Sequence, residues 1–331
     1  VAIRCRNTTE AINKLAYRLP FRPGDAIVTT VAEHHANLLP WGRVGATRRW
    51  VECGTDGTFT VTATTVYVVD PEESTEPFDI TLRPLGSIDP DVQTAFEAAA
   101  ARWSQSIVRG VPDQPVTLAP GQCLAAEPGE TLSVDDLVVT IQVTPIDGAG
   151  GVLGQAGPCV VSGSDELTRA GVMQFDSADV ANMISDGTFT AVVLHEMGHT
   201  LGIGTLWDFG TRNLLTGAGG SNPRYTGARG VAEWSTLGGT STVPVENTGG
   251  AGTADSHWRA SVFDTELMTG WIDPAPIPMS ALTVSSLGDL GYAVDRDTAD
   301  FYVLPGGALR APAPAGGLDA GTILRPPITV L

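Results

Sequence analysis

The stretch Val192–Trp207 reads VVLHEMGHTLGIGTLW. It sets His195 and His199 four residues apart, with Glu196 directly after the first, in a chain that has five histidines. Positions i and i+4 of an α-helix share a face, so the spacing predicts two imidazoles pointing the same way, one turn apart. Two nitrogens so placed can hold one zinc ion at about 2.0–2.1 Å. Glu196 sits beside the first of them and is not itself needed as a ligand. It is placed to take a proton from water that a metal has made acidic, with a pKa of about 7. Such a pattern is built for attack on a peptide carbonyl as well as for binding. The plain alternative is a helix that carries these residues for no chemical reason. The apolar residues before, between and after them argue against it, because two histidines and a glutamate there would carry a burial cost unless paired or metal-bound.

Two ligands leave such a site incomplete, since a catalytic zinc usually has three protein ligands and an open position. Beyond the first 70 residues the only further histidine is His257, in TADSHWRASVFDTELMTGW (Thr253–Trp271). It is the candidate third ligand, the alternative being a lone core or surface histidine. Gly202, three residues after His199, can adopt positive φ and turn the chain away from the helix.

Bulk properties bound the remaining choices. The 331 residues suffice for one large domain or two ordinary ones. The net charge is −18, and Lys14 is the single lysine. A chain this acidic repels nucleic acid and anionic membranes. No run approaches the roughly 18 apolar residues of a membrane-spanning helix. The first residues, VAIRCRNTTE, lack the basic-then-apolar layout of a signal peptide. Cys5, Cys53, Cys123 and Cys159 form no CxxC pair, which disfavours a cysteine metal site. Cys123 and Cys159 can close a loop worth roughly 3–4 kcal/mol, as suits an oxidising compartment; two unrelated thiols are the other reading. The sequence sets no oligomeric state.

The chain divides into a first part over 1–69, a linker over 70–77, a main part over 78–305 and a Pro/Gly-rich tail over 306–331 that is expected to be loosely ordered. In the first part, Asn7–Leu19 has helical spacing and AIVTT (Ala26–Thr30) is a short strand candidate. In the main part, FDITLRP (Phe78–Pro84), VDDLVVTIQVTPI (Val134–Ile146) and GVMQF (Gly171–Phe175) read as strands. DGAGGVLGQAG (Asp147–Gly157) reads as a Gly-rich turn. A strong amphipathic helix follows Asp89, with Val92, Phe96, Ala99, Ala100 and Trp103 on one face. Gly-, Ser- and Thr-rich sequence then separates the motif helix from His257.

HEMGHTLGIG resembles the metzincin pattern HExxHxxGxxH, except that Thr205 stands where that pattern has its third histidine. Leishmanolysin-like peptidases depart in the same way, with an insertion between the glycine and the last histidine. The resemblance extends through HWRASVFDTELMTG, SALTVSSLGDLGYAVD and ADFYVLP, and upstream through FDITLRPLGSIDPDVQTAFEAAAARWSQSIV, so it covers about 77–305. It implies an α+β metzincin-like zinc peptidase domain with a mixed sheet and an active-site helix. It implies Zn2+ held by His195, His199 and His257, with Glu196 as general base and Met268 as the Met-turn residue beneath the metal. It also implies protein or peptide substrates, an extracellular or cell-surface setting, and an edge strand that pairs with the substrate backbone, for which GVMQF is the candidate.

The segment over about 3–65 resembles a different family, the cysteine desulfurases and class V aminotransferases, which use pyridoxal phosphate. By that resemblance Thr8 and Thr9 would bind the cofactor phosphate and His34 would stack on its ring. That chemistry needs a Schiff-base lysine, and Lys14 lies far from where that family keeps its own. About 65 residues cannot complete so large an α/β fold. The segment is therefore expected to be an incomplete α/β fragment and inert, a fusion scar, gene-boundary error or relic. The leading expectation is a zinc-dependent endopeptidase; the alternatives are a pyridoxal-phosphate enzyme fragment and a non-catalytic surface module that keeps the peptidase fold.

Overall fold

A computed structural model of the chain describes residues 26–30, 47–51, 76–272, 276–305, 322–323 and 326–331. Residues Val1–Asp70 and Pro71–Leu331 form two compact units. In the first, β1 (Ala26–Thr30) pairs in parallel with β2 (Thr47–Val51), Ala26 opposite Thr47. The expected strand AIVTT is thus β1. The helix expected over Asn7–Leu19, and Thr8, Thr9 and His34, lie outside the described residues.

The second unit is α+β. It opens with β3 (Ile80–Pro84) and α1 (Pro90–Ser106). The Asp89 side chain accepts from the Asp91 amide and proline fills the first helical turn, the start signals that the sequence advertises. Next come β4 (Gln114–Leu118) and β5 (Glu130–Val134), an antiparallel pair, then β6 (Leu137–Thr144), β7 (Gly154–Val161) and β8 (Thr168–Asp176). Two helices follow, α2 (Val180–Asp186) and α3 (Phe189–Leu201), the motif helix. The Gly-rich excursion carries β9 (Leu215–Thr216), β10 (Arg224–Tyr225), α4 (Ala228–Thr236) and β11 (Val243–Pro244). The short α5 (Ala260–Phe263) and α6 (Ala281–Leu290) come next, and β12 (Thr322–Ile323) and β13 (Thr329–Val330) are the last elements.

The main sheet has the order β12-β7-β8-β6-β3, with β13 also on β7. Strands β3, β6 and β8 run parallel and β7 runs antiparallel to β8. Parallel strands buried on both faces read as continuous apolar runs, and Leu137–Ile141 of β6 is buried residue after residue. One face is covered by α1 and α3. Phe96, Phe175 and Phe189 meet edge to face there, with centroids 5.3–6.2 Å apart, the geometry that aromatic quadrupoles favour. The Trp103 indole N–H donates to the Leu194 carbonyl at 2.9 Å and fastens α1 to the motif helix. On the other face Val116, Leu118, Leu124, Val134, Val138, Val160 and Val172 form a smaller core. It is stapled by a disulfide between Cys123 and Cys159, whose Cα atoms are 5.4 Å apart.

Three expectations are corrected here. GVMQF is not an edge: it lies within β8, between β6 and β7, so both sides of its backbone are paired within the sheet. The second half of the expected Gly-rich turn, from Gly154 onward, is the start of β7. Glycine and proline depress strand propensity in GQAGPCVV, yet pairing with β8 overrides it. The tail, expected to be loosely ordered, contributes β12 and β13 to the outer side of β7.

The turn ahead of β7 hangs on one buried carboxylate. Asp176 accepts from the amides of Ala178, Gly148, Asp147 and Ile146. These bonds, that of Ala178 foremost, hold its pKa down to about 2 from an ordinary 3.8. A depressed carboxylate stabilises the fold above its unfolded pKa and loses that effect as pH falls through the folded value. Asp176→Asn should therefore lower the melting temperature at neutral pH, with the deficit shrinking as pH falls from about 4 toward 2; calorimetry across that range checks it. Replacing Cys123 and Cys159 by serine should cost roughly 3–4 kcal/mol of unfolding free energy without reductant, measurable by urea titration.

Candidate metal centre

The motif helix α3 is apolar on nearly all sides and buried, as befits a helix enclosed by sheet and neighbouring helices. It ends at Gly202, whose φ of 114° no side chain adopts readily. The reversal brings the Ile203 carbonyl back over the last turn, where the His199 Nδ1–H donates to it at 2.8 Å. Gly204 then passes so close to the segment that carries His257 that a Cβ there would overlap the Ser256 carbonyl.

That contact delivers His257. Its segment is tied on both sides: the Glu246 amide donates to the His257 carbonyl and the Trp258 amide to the Met268 carbonyl, each at 2.9 Å. Trp258 stacks on Trp207, with ring centroids 5.0 Å apart. The His257 Nδ1–H donates to the Thr253 carbonyl at 2.9 Å, and the His195 Nδ1–H to the Leu267 carbonyl at 2.7 Å. Each ring thus gives its Nδ1 proton to a backbone oxygen, which fixes the tautomer and leaves an Nε2 lone pair.

The three Nε2 atoms converge. His195 to His199 is 3.0 Å, His199 to His257 is 3.0 Å and His195 to His257 is 3.1 Å. All three side chains are fully buried. Among the described residues this is the group of His, Cys, Asp and Glu side chains close enough to share a metal ion. Three lone pairs facing one another at this range repel unless a cation lies among them. Protons are poor candidates at neutral pH. Burial, and then the neighbouring His257, push His195 down to about 3, and burial pushes His257 down to about 4. The triangle is small enough for one ion to reach every corner at zinc–nitrogen distances of about 2.0–2.1 Å. Three neutral imidazoles are also a donor set that zinc accepts.

Glu196 is fully buried. A Cβ added to Gly154 of β7 would lie 3.3 Å from the Glu196 Cγ, so the carboxylate-bearing chain abuts the start of that strand. Met268 is fully buried too, and a Cβ on Gly198 would meet its sulfur at 2.9 Å. Its thioether therefore lies against the turn of α3 between the two helix histidines.

Two residues that sequence reasoning passed over organise this centre. Glu246 accepts from the Asn247 and Thr248 amides and the Thr248 hydroxyl with Oε1, and from the Ala260 amide with Oε2. It pins both ends of the segment that carries His257. Glu266 accepts from the Met268 amide, from the Ser280 amide and hydroxyl, and from the Thr283 hydroxyl. Burial raises its pKa against the pull of these bonds. It anchors the turn whose Leu267 carbonyl holds His195. The available signal was an acidic residue in an apolar setting, VPVENT and TELMTG; only the fold supplies the partners.

A helix-borne pair of histidines, a distant third and an adjacent glutamate define the class of the zinc metallopeptidases. Comparison with known proteins agrees: the family described as leishmanolysin matches residues 125–308, more than half of the 331. The chain belongs to the leishmanolysin family. A leishmanolysin homolog of Crithidia fasciculata is 30% identical over 169 residues, 49% of this chain and 25% of that protein. The class V aminotransferase family matches residues 2–71. There a probable cysteine desulfurase of Pseudomonas aeruginosa is 56% identical over 45 residues, 13% of this chain and 11% of that protein. Another, probable cysteine desulfurase 2 of Mycobacterium leprae, is 42% identical over 64 residues, 16% of this chain and 15% of that protein. These matches span a quarter or less of each relative's length.

Groups that orient metal ligands typically change affinity 10–100-fold when removed. Glu246→Gln should weaken zinc binding by roughly tenfold or more, measured by competition with a chromogenic chelator, while circular dichroism stays that of the parent chain.

Proposed function

We propose that the chain is a zinc-dependent endopeptidase in which His195, His199 and His257 hold the metal and Glu196 is the general base. The observation that carries this reading is the convergence of three buried Nε2 lone pairs one residue from a buried carboxylate. Zinc in that position would polarise a scissile carbonyl and bring the pKa of water to about 7. Glu196 takes the proton from the attacking water and hands it to the departing amine, the two halves of general acid–base catalysis. The backbone carbonyls of Leu267, Ile203 and Thr253 keep the imidazoles in one tautomer throughout. Met268 and Gly202 act on ligand placement, the first by packing under α3 and the second by turning the chain toward Ile203.

Protein or peptide substrates follow from this chemistry. The net charge of −18 disfavours nucleic acid. No described helix is long and apolar enough to cross a membrane. The Cys123–Cys159 disulfide supports an oxidising, extracellular or cell-surface setting. The aminotransferase-like segment over 1–69 takes no part, and Thr8, Thr9 and His34 are assigned no cofactor.

Glu196→Gln should abolish casein hydrolysis, by a factor of about 10² or more, with one zinc per chain retained by elemental analysis. His257→Ala should lose the metal and the activity together. Full activity in the Glu196→Gln chain would remove the mechanism.

A further inference from the structure

Helix α6 supplies no imidazole, yet one of its side chains touches the segments that position two of them. Thr283 is fully buried, at the third residue of α6. The Trp258 indole N–H donates to its Oγ1 at 2.8 Å, and that hydroxyl donates to Glu266 Oε1 at 2.5 Å. Chemistry fixes the direction of this chain. An indole N–H only donates and an ionised carboxylate only accepts, so the group between them must do both. A hydroxyl can; valine, with the same outline, can do neither.

These bonds close a circuit. Glu266 Oε2 accepts from the Met268 amide at 2.7 Å, and the Met268 carbonyl accepts from the Trp258 amide at 2.9 Å. Trp258 is thus tied at its backbone to Met268 and at its indole, through Thr283, to Glu266. Between those two residues lies Leu267, whose carbonyl takes the His195 Nδ1–H, and Trp258 directly follows His257. The indole also stacks on Trp207, beyond the exit of α3. The Ser280 hydroxyl and amide donate to Glu266 Oε1 at 2.6 and 3.1 Å. The carboxylate therefore sits at the first turn of α6, the end of a helix that favours negative charge. Trp258, Glu266, Met268 and Thr283 are all fully buried, where a donor deprived of its acceptor bears the full cost of desolvation.

We propose that Thr283 is a positioning residue of the histidine centre: its hydroxyl locks Trp258 to Glu266 and so sets His257 and His195 in place relative to each other. The role depends on hydrogen bonding and not on bulk. It rests on the endopeptidase reading for its catalytic consequence, but its binding test stands without that reading.

Thr283→Val keeps the shape and removes the link, whereas Thr283→Ser keeps the hydroxyl and removes a methyl group. In full-length chains stripped of metal, competition with a chromogenic chelator should show zinc bound roughly tenfold or more weakly by Thr283→Val and within about threefold of the parent by Thr283→Ser, the scale typical of groups that orient ligands. The visible absorption of bound Co2+ should change in Thr283→Val and return in Thr283→Ser. Val284→Ala opens a cavity at the next, equally buried residue of α6, outside the circuit. It should lower the melting temperature with zinc affinity and Co2+ absorption unchanged. Trp258→Phe breaks the link from its other end and should weaken zinc as Thr283→Val does. Combining the two should be no worse than the worse of them alone, as for partners in one interaction. If Thr283→Val does not fold, Trp258→Phe measured against Val284→Ala decides. Parent-like zinc affinity and Co2+ absorption in Thr283→Val, or an equal loss in Val284→Ala, would overturn the positioning role and leave the peptidase standing. Weakened zinc in Thr283→Val restored in Thr283→Ser, from a parent chain that hydrolyses no peptide, would support the role and sink the peptidase.

Discussion

Three imidazole lone pairs forced into one small triangle are the constraint around which the second unit is arranged. Left without a cation they oppose one another, and burial denies His195 and His257 the protons that relieve such a clash in water. The fold holds them there through the opposite edge of each ring. Carbonyls from the Met268 turn, from the exit of α3 and from the Thr253 loop each fix one imidazole. No single element provides all three, so the centre exists only when distant parts of the chain are docked together.

That docking is achieved by close approach and by buried carboxylates. A Cβ on Gly171 of β8 would lie 2.9 Å from the Thr200 Cβ, so the motif helix sits hard against the sheet. Trp207 and Trp258 stack between the helix exit and the His257 segment, and Tyr225 meets both rings. Glu246 and Glu266 each gather several donors from separate segments. Buried carboxylates are costly unless so satisfied, and once satisfied they leave little freedom to the turns they bind.

Legibility in the sequence followed the range of the interaction. The Asp89 cap, the apolar face of α1 and the i, i+4 histidines are local, and the α+β class and the converging residues follow from them and from the family resemblance. Strand β7 was hidden because Gly154, Gly157 and Pro158 read as turn chemistry until β8 supplies a partner. GVMQF was misplaced to an edge although Thr168–Val172 is an unbroken buried run, the mark of an interior strand. Glu246 and Glu266 carry no local signature at all; what they do depends on amides and hydroxyls that meet them only after folding. The strands of the tail were masked by its Pro- and Gly-rich composition.

The displacement of the last histidine has a consequence for chain length. In the compact arrangement that Thr205 replaces, two residues would separate Gly202 from the third histidine. Here the Gly204–Ser256 contact closes a long detour, and the entropy of closing such a detour grows only slowly, by about 0.6 kcal/mol per doubling of length. The stretch from β9 to β11 can therefore change length at little entropic cost while the Gly204–Ser256 contact keeps the His257 ring in register.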